Sequence, residues 1–132
     1  MSLLVDTNVI SELARREPNP GVVAWSKTVT TIALSVISLE EICYGLALKP
    51  NARIQVWFDR FLREESQILP ITDDIAHCGG QLRGSLSAQG QARTQADMLI
   101  AATAQIHQHT LVTRNLRDFQ GCGIAVFNPF SE

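Results

Sequence analysis

The chain has 132 residues, of which 45% are hydrophobic and 18% are charged, and its net charge is −2. This length predicts one domain, residues 1–132, with a core large enough to fold without disulfides or structural metals. The charge balance argues against a protein that coats nucleic acid, because such binding needs a dense cationic face. It allows an enzyme that meets nucleic acid at one local site.

Cysteine usage and the first residues indicate the cellular compartment. The three cysteines form no CxxC pair and are odd in number, which argues against a disulfide framework and favours a reducing cytoplasm. The first apolar stretch, Leu3–Val5, is short and leads directly to Asp6, so no signal peptide is expected. No apolar run has the length of a membrane span. We therefore expect a cytoplasmic protein that does not bind membranes.

Short apolar runs alternate along the chain with longer helical patterns. The predicted strands, in chain order, are 3–5, 32–36, 68–71, 111–113 and 124–127. The predicted helices are 8–16, 20–27 after an Asn19 N-cap, 38–48, one that follows Lys49-Pro50-Asn51 and ends near Ser66, one that Thr72 or Asp73 caps and that ends near Ala88, and 95–107. A Gly79-Gly80 pair inside a helical pattern is unusual, and a close approach of two helices would explain it.

This alternation predicts the fold class. Strands that are almost continuously apolar, separated by helices, indicate an α/β fold with a central parallel sheet of about five strands and helices on both faces. In such a sheet the C-terminal ends of the strands meet the N-termini of helices at one edge. Ligands bind along that edge.

Four carboxylates are predicted to lie at this edge. Asp6 ends the first strand, and Asp118 follows the fourth. Glu41 and Asp97 fall in the first turns of the helices predicted at 38–48 and 95–107. The remaining acids on helical patterns are interpreted as solvated charges: Glu12, Glu40, Asp59, Glu64 and Glu65.

A cluster of carboxylates indicates a metal site. Like charges raise one another's pKa values, and a divalent cation compensates the repulsion. Oxygen ligands without cysteine or histidine favour Mg²⁺ or Mn²⁺ over zinc. The chemistry that such a site supports is cleavage of phosphodiester bonds, since the metal activates water and stabilises developing negative charge.

Each acid also has a structural interpretation. Asp6 could be the N-cap of the next helix, and Ser38 with Glu41 has the spacing of a capping box. Asp97 could complement the helix dipole, and Asp118 could be a turn residue. The joint placement of all four on one edge favours the site, but spacing alone leaves these alternatives open.

Four segments carry a resemblance to a known family. They are Leu4-Val5-Asp6-Thr7-Asn8-Val9-Ile10-Ser11-Glu12, Leu34-Ser35-Val36-Ile37-Ser38-Leu39-Glu40-Glu41-Ile42 followed by Gly45, Asp97-Met98-Leu99-Ile100-Ala101-Ala102-Thr103-Ala104, and Thr113-Arg114-Asn115-Leu116-Arg117-Asp118-Phe119. In this order and spacing they resemble PIN-domain toxins of the VapC type. The ending Val126-Phe127-Asn128-Pro129-Phe130 is similar to the FitB-like branch of that family.

The resemblance implies a three-layer α/β/α fold and an endoribonuclease that depends on Mg²⁺ or Mn²⁺. It also implies a homodimer that a cognate antitoxin of the VapB or FitA type neutralises, with DNA bound only through that antitoxin. The family's acids correspond to Asp6, Glu41, Asp97 and Asp118. Some relatives carry the last acid at the position of Asn115, so either position could complete the site.

Two arginines flank the acidic edge. Arg93 and Arg114 are candidate ligands for substrate phosphates, with Asn115 as a further candidate substrate contact. The histidines are interpreted as structural or surface residues: His77, His107 and His109.

Two other functions compete with RNA cleavage. A phosphatase of the haloacid dehalogenase type also places an aspartate after its first strand, but it needs a second acid where this chain has Asn8. A catalytically weak PIN-like protein could instead act with its antitoxin as a transcriptional autoregulator. Metal-dependent cleavage of RNA by the purified chain would separate these alternatives.

Overall fold

The computed structural model describes residues 2–132. Its strands are β1 Leu3–Val5, β2 Ile32–Ser35, β3 Ser66–Leu69, β4 Thr110–Val112 and β5 Val126–Phe127. Its α-helices are α1 Thr7–Leu13, α2 Pro20–Ser26, α3 Val36–Leu48, α4 Ala52–Glu64, α5 Asp73–Ala88 and α6 Gln95–His107, and a 3₁₀ helix spans Leu116–Phe119. No helix within the described residues is long and apolar enough to cross a bilayer.

The five strands form one parallel sheet in the order β3-β2-β1-β4-β5. Side chains alternate between its faces. Leu4 faces a core built with α5 and α6, whereas Leu3 and Val5 face a second core built with α1, α2 and α4. The predicted three-layer α/β/α architecture is therefore confirmed.

Helix α3 begins earlier than the sequence pattern indicated. Its N-cap is Ser35, whose hydroxyl accepts a 3.0 Å hydrogen bond from the Ile37 backbone N–H. Ser38 lies inside the helix, and its buried hydroxyl has no hydrogen-bond partner within residues 2–132. The proposed capping box of Ser38 and Glu41 is therefore wrong, and Glu41 is the sixth residue of α3 rather than part of its first turn. The strand's own last residue had the extended backbone that an N-cap requires.

Glu12 is the other corrected residue. It was expected to be a solvated charge, but it is buried, with 8% of its surface exposed. Its carboxylate accepts a 2.8 Å hydrogen bond from the Asn19 backbone N–H and pairs with Arg15 at 3.3 Å. Glu12 thus ties the end of α1 to the N-cap of α2. A buried carboxylate is stable only with such partners.

The Gly79-Gly80 pair lies in α5, which packs closely on α6 at the first of these glycines. A Cβ atom at Gly79 would lie 3.0 Å from the Leu99 side chain and 3.3 Å from the Met98 carbonyl oxygen, whereas one at Gly80 would meet nothing within 4 Å. The helix–helix approach proposed from the sequence is confirmed for Gly79.

The two glycines offer a matched stability test. Gly80→Ala should stabilise the protein by about 0.5–1 kcal/mol, because alanine favours an open helix position. Gly79→Ala should be less stable than Gly80→Ala by about 1 kcal/mol, since the added methyl group crowds α6. Urea unfolding of both variants measures the difference. Equal stabilisation by both substitutions would contradict close packing at Gly79.

Candidate active site

Asp6 lies at the C-terminal edge of the sheet, immediately after β1. It is the N-cap of α1, and its Oδ1 accepts a 2.8 Å hydrogen bond from the Thr7 backbone N–H. The interpretation of Asp6 as a helix N-cap is therefore correct, but it accounts for only one of the two carboxylate oxygens. A cap needs only one carboxylate oxygen, so the second is left for other partners.

The second oxygen of Asp6 is held by two side chains, one from the residue after β4 and one from the second residue of α1. Thr113 Oγ1 donates to Asp6 Oδ2 at 2.8 Å, and Asn8 Nδ2 donates to the same oxygen at 3.2 Å. The register of β1 on β4, which pairs Val5 with Val112, brings Asp6 beside Thr113. These two polar residues were missed as site residues in the sequence, although both lie in the family-like segments. The available signal was their position near the strand ends, Thr113 directly after β4 and Asn8 in the first turn of the helix that follows β1.

Burial makes Asp6 costly to ionise. Only 5% of its surface is exposed, and desolvation is the main reason why its pKa is raised above the ordinary value. The charge of Glu41 raises the pKa further, whereas the hydrogen bonds from Thr113, Thr7 and Asn8 lower it in part. The carboxylate is thus oriented by donors but short of positive charge.

Asp97 lies in the first turn of α6, as the sequence predicted. Desolvation of this half-buried side chain raises its pKa, and the negative charges of Asp6, Asp118 and Glu41 raise it further. These couplings show that all four candidate acids share one electrostatic neighbourhood, as expected from their places at strand and helix ends.

Glu41 reaches this neighbourhood from the second turn of α3. The Thr7 hydroxyl donates a 2.6 Å hydrogen bond to Glu41 Oε1, which links α3 to the first residue of α1. Glu41 itself is exposed. Its place is therefore set by a tertiary contact with α1 and not by a helix cap.

The donor set fits a hard divalent cation. No three His, Cys, Asp or Glu side chains among residues 2–132 already converge on one point as the ligands of a single ion. The acids are all oxygen donors, however, and two of them carry a desolvation and repulsion cost that a cation would relieve. His107 and His109 precede β4 and so lie at the opposite edge of the sheet. They share no site with the acids.

The two flanking arginines differ in what they contact. Arg93 donates to the backbone carbonyl oxygens of Asp118 at 2.6 Å and Gln120 at 2.9 Å. The guanidinium carbon of Arg114 lies 4.7 Å from the centre of the Phe130 ring, and within residues 2–132 this arginine forms no salt bridge. Arg93 is thus engaged with the main chain, whereas Arg114 is free to bind an anion.

Asn115 and Asp118 occupy different parts of the last segment. The Asn115 backbone N–H donates to Thr113 Oγ1 at 3.0 Å, and its side chain makes no capping bond to the 3₁₀ helix. Asp118 lies in that helix, is exposed, and contributes its charge to the surroundings of Asp97. The charge of Asp118 is thus near enough to raise the Asp97 pKa, whereas Asn115 carries no charge.

Known proteins match the chain over nearly its whole length. Toxin FitB of Neisseria gonorrhoeae is 36% identical, covering 98% of this chain and 99% of the relative. VapC ribonuclease Y4jK of Sinorhizobium fredii is 32% identical, covering 97% of both. Among solved structures, FitAcB from Neisseria gonorrhoeae has a TM-score of 0.83 at 36% identity, covering 96% of this chain and 97% of that one.

A promoter-bound complex is similar in structure as well. VapBC2 from Rickettsia felis, solved with a DNA fragment from its promoter, has a TM-score of 0.85 at 27% identity, and the match covers 97% of this chain and 98% of that chain. The profile of the PIN domain matches residues 3–121, a span that contains all four candidate acids. The chain belongs to the PIN domain family.

Proposed function

We propose that this protein is the toxin of a toxin–antitoxin pair and that it is an endoribonuclease dependent on Mg²⁺ or Mn²⁺. The observation that carries the proposal is the buried Asp6, held by three donors beside three further acids at the C-terminal edge of the sheet. Burial and repulsion between like charges destabilise the ionised acids in the metal-free protein. A cation bound among them would offset this destabilisation, and perturbed acids of this kind are typical of functional sites. The named ribonuclease and toxin relatives support the same function.

The four acids have distinct places in this proposal. Asp6 and Asp97 would be the core ligands of the ion, and Glu41 and Asp118 would complete the site directly or through water. When bound, the ion supplies an activated water and neutralises charge that develops on the phosphate. Thr113 and Asn8 keep Asp6 in one orientation, and Thr7 does the same for Glu41.

Arg114 is the proposed phosphate ligand. The Phe130 ring supports one face of its guanidinium, while its backbone N–H donates to Asn8 Oδ1 at 3.1 Å. A guanidinium held in this way can donate two parallel hydrogen bonds to a phosphate. Asn115, next in the chain, could offer its amide to the same substrate.

We infer that an antitoxin of the VapB or FitA type is the partner. The similar solved structures include FitAcB and a VapBC complex on promoter DNA. An apolar cavity of about 430 Å³ lies between α1, α3 and α4, and Thr7 and Glu41 line it together with Ile42, Leu46 and Trp57. A partner segment in this cavity would lead directly to the acids. We expect a homodimer that acts in the cytoplasm and meets DNA only through the antitoxin.

We also infer that residues 1–132 form a single domain, because the C-terminal segment packs against the start of α2 in the N-terminal part of the chain. Asn19 Nδ2 donates to the Ser131 carbonyl oxygen at 2.8 Å, and Asn19 Oδ1 accepts from the Ser131 backbone N–H at 2.9 Å. A Cβ atom at Gly21 would lie 2.5 Å from the Pro129 carbonyl oxygen and 2.5 Å from the Ser131 backbone nitrogen, so the Gly21 backbone lies directly against the C-terminal segment.

Cleavage of a labelled single-stranded RNA pool by the purified protein tests the function. We expect cleavage with Mg²⁺ or Mn²⁺, loss of cleavage on chelation, and recovery when either ion is restored, since all proposed ligands are oxygens. Full cleavage in excess chelator would refute the metal site. The cognate antitoxin, which we expect a small upstream reading frame to encode, should inhibit the reaction when it is added.

The alternative functions give different results in the same experiment. An autoregulator without catalytic activity would bind promoter DNA with its antitoxin and leave RNA intact under every metal condition. A phosphatase of the haloacid dehalogenase type lacks support, because Asn8 occupies the place of its second acid and bonds Asp6 through its amide.

A further inference from the structure

Arg93 lies in the connection between α5 and α6, one residue before Thr94, the N-cap of α6. Its Nη1 donates to the Asp118 carbonyl oxygen at 2.6 Å, and its Nη2 donates to the Gln120 carbonyl oxygen at 2.9 Å and to Gln91 Oε1 at 3.2 Å. Both terminal nitrogens therefore bind protein oxygens. A residue engaged in this way is poorly suited to bind a substrate phosphate.

The two backbone acceptors belong to the segment that carries Asp118. The 3₁₀ helix Leu116–Phe119 has a single turn, and carbonyl groups at the end of a helix have no partner within it. On its inner side the segment is held by Phe119 and Cys122, which are buried in the core with α6. On its exposed side, Arg93 binds the main chain of Asp118 itself.

The same connection also places Asp97. Thr94 Oγ1 accepts a 3.0 Å hydrogen bond from the Asp97 backbone N–H, which fixes the first turn of α6. Arg93 is adjacent to Thr94. Its side chain therefore links the start of α6, which carries Asp97, to the segment that carries Asp118.

We propose that Arg93 is a positioning residue that holds Asp118 beside Asp97, and that it does not contact the substrate. This inference rests on the proposed function, because it assumes that the two acids serve one cation. A planar guanidinium can bind two carbonyl groups at once, which an ammonium group on a flexible chain does less well. We therefore expect lysine at this position to hold the two carbonyl groups less well than arginine does.

The test uses Arg93→Ala, Arg93→Lys and the control Arg83→Ala, which removes the same charge from an exposed position on α5. Mn²⁺ affinity is measured by electron paramagnetic resonance of the free ion. Amide exchange of residues 115–122 and steady-state RNA cleavage are measured on the same proteins. We expect Arg93→Ala to weaken Mn²⁺ binding by about 10-fold or more and to lower kcat, as loss of an outer ligand partner does. Exchange in 115–122 should become faster.

The controls separate positioning from a general effect of charge. Arg83→Ala should behave like the parent in every measurement, and Arg93→Lys should recover only part of the Mn²⁺ affinity. Parental Mn²⁺ affinity in Arg93→Ala, with or without a raised KM for RNA, would overturn the proposal. A raised KM alone would assign Arg93 to phosphate binding instead.

Failure of the proposed function gives a different pattern. If the parent protein does not cleave RNA, the ribonuclease assignment is wrong. Mn²⁺ affinity and amide exchange still test whether Arg93 positions Asp118, because neither measurement depends on cleavage. If Arg93→Ala does not fold, Mn²⁺ affinity and amide exchange are measured on Arg93→Lys instead. Parental Mn²⁺ affinity and parental exchange in that variant would then overturn the need for the arginine fork.

Discussion

Replacing Asp97 by asparagine is expected to reduce RNA cleavage by at least about 100-fold, because loss even of an outer partner of a metal site costs 10- to 100-fold. The same change should stabilise the metal-free protein. The Asp97 pKa is raised by burial and by the charges of Asp6, Asp118 and Glu41, so the neutral amide removes an unfavourable charge. Thermal melting and the rate of RNA cleavage, measured on one preparation, test both effects.

The pH dependence of stability follows from the direction of the Asp97 pKa shift. A carboxyl group with a raised pKa binds its proton more tightly in the folded state, so the parent loses stability as the pH rises through that pKa. Asp97→Asn lacks this loss. Its advantage in Tm should therefore be absent at low pH and grow toward neutral pH, to about 1–3 °C for a side chain that is only half-buried.

Asp74→Asn is the matched control for Asp97→Asn. Asp74 also lies in the first turn of a helix, α5, but it is exposed. Removing its charge should leave cleavage unchanged and lower the stability slightly, because a favourable interaction with the helix dipole is lost. Parental cleavage by Asp97→Asn would show that the metal, if one is bound, is held elsewhere.

Replacing Glu41 by glutamine is expected to slow RNA cleavage by about 100-fold without unfolding the protein. Glutamine keeps an oxygen that can accept the hydrogen bond from the Thr7 hydroxyl, so the contact between α3 and α1 should survive. The amide lacks the charge needed beside a cation or its water. Because Glu41 is not part of a helix cap, no loss of capping energy is expected, and the Tm should stay near that of the parent.

Glu40→Gln separates the effect of Glu41 from a general effect of charge on α3. Glu40 is the preceding residue and is also exposed, but the two residues point in different directions around the helix. Its substitution should leave both cleavage and Tm unchanged. If Glu41→Gln cleaved RNA like the parent, Glu41 would be no more than a surface partner of Thr7.

The order of strands and helices was predictable because local patterns carried it. Asn19 followed by Pro20 and Thr72 before α5 have the expected capping chemistry, and each caps the expected helix. Asn51, expected only to separate two helices, is the N-cap of α4. The pattern failed at the start of α3, where Ser35 and Ser38 both had the right chemistry. Only the length of β2 in the sheet decides between them, and that length depends on pairing with β1 and β3.

Burial of charge was the second feature that local pattern could not settle. Glu12 has the spacing of a solvated helix residue, and its sequence neighbours contain no sign of the Asn19 N–H that it binds. That contact exists because α2 folds back across the end of α1. Burial of a carboxylate is a property of the chain segments around it.

The candidate site divides in the same way. The sequence by itself determined which acids follow strands or begin helices, since parallel strands direct these ends to one edge of the sheet. Tertiary structure alone decided how the acids are held. Thr113 meets Asp6 through the register of β4 on β1, Thr7 meets Glu41 through the packing of α3 on α1, and Arg93 meets the Asp118 carbonyl through the connection before α6. Hydrogen bonds between residues far apart in the chain depend on distances that only the folded core sets.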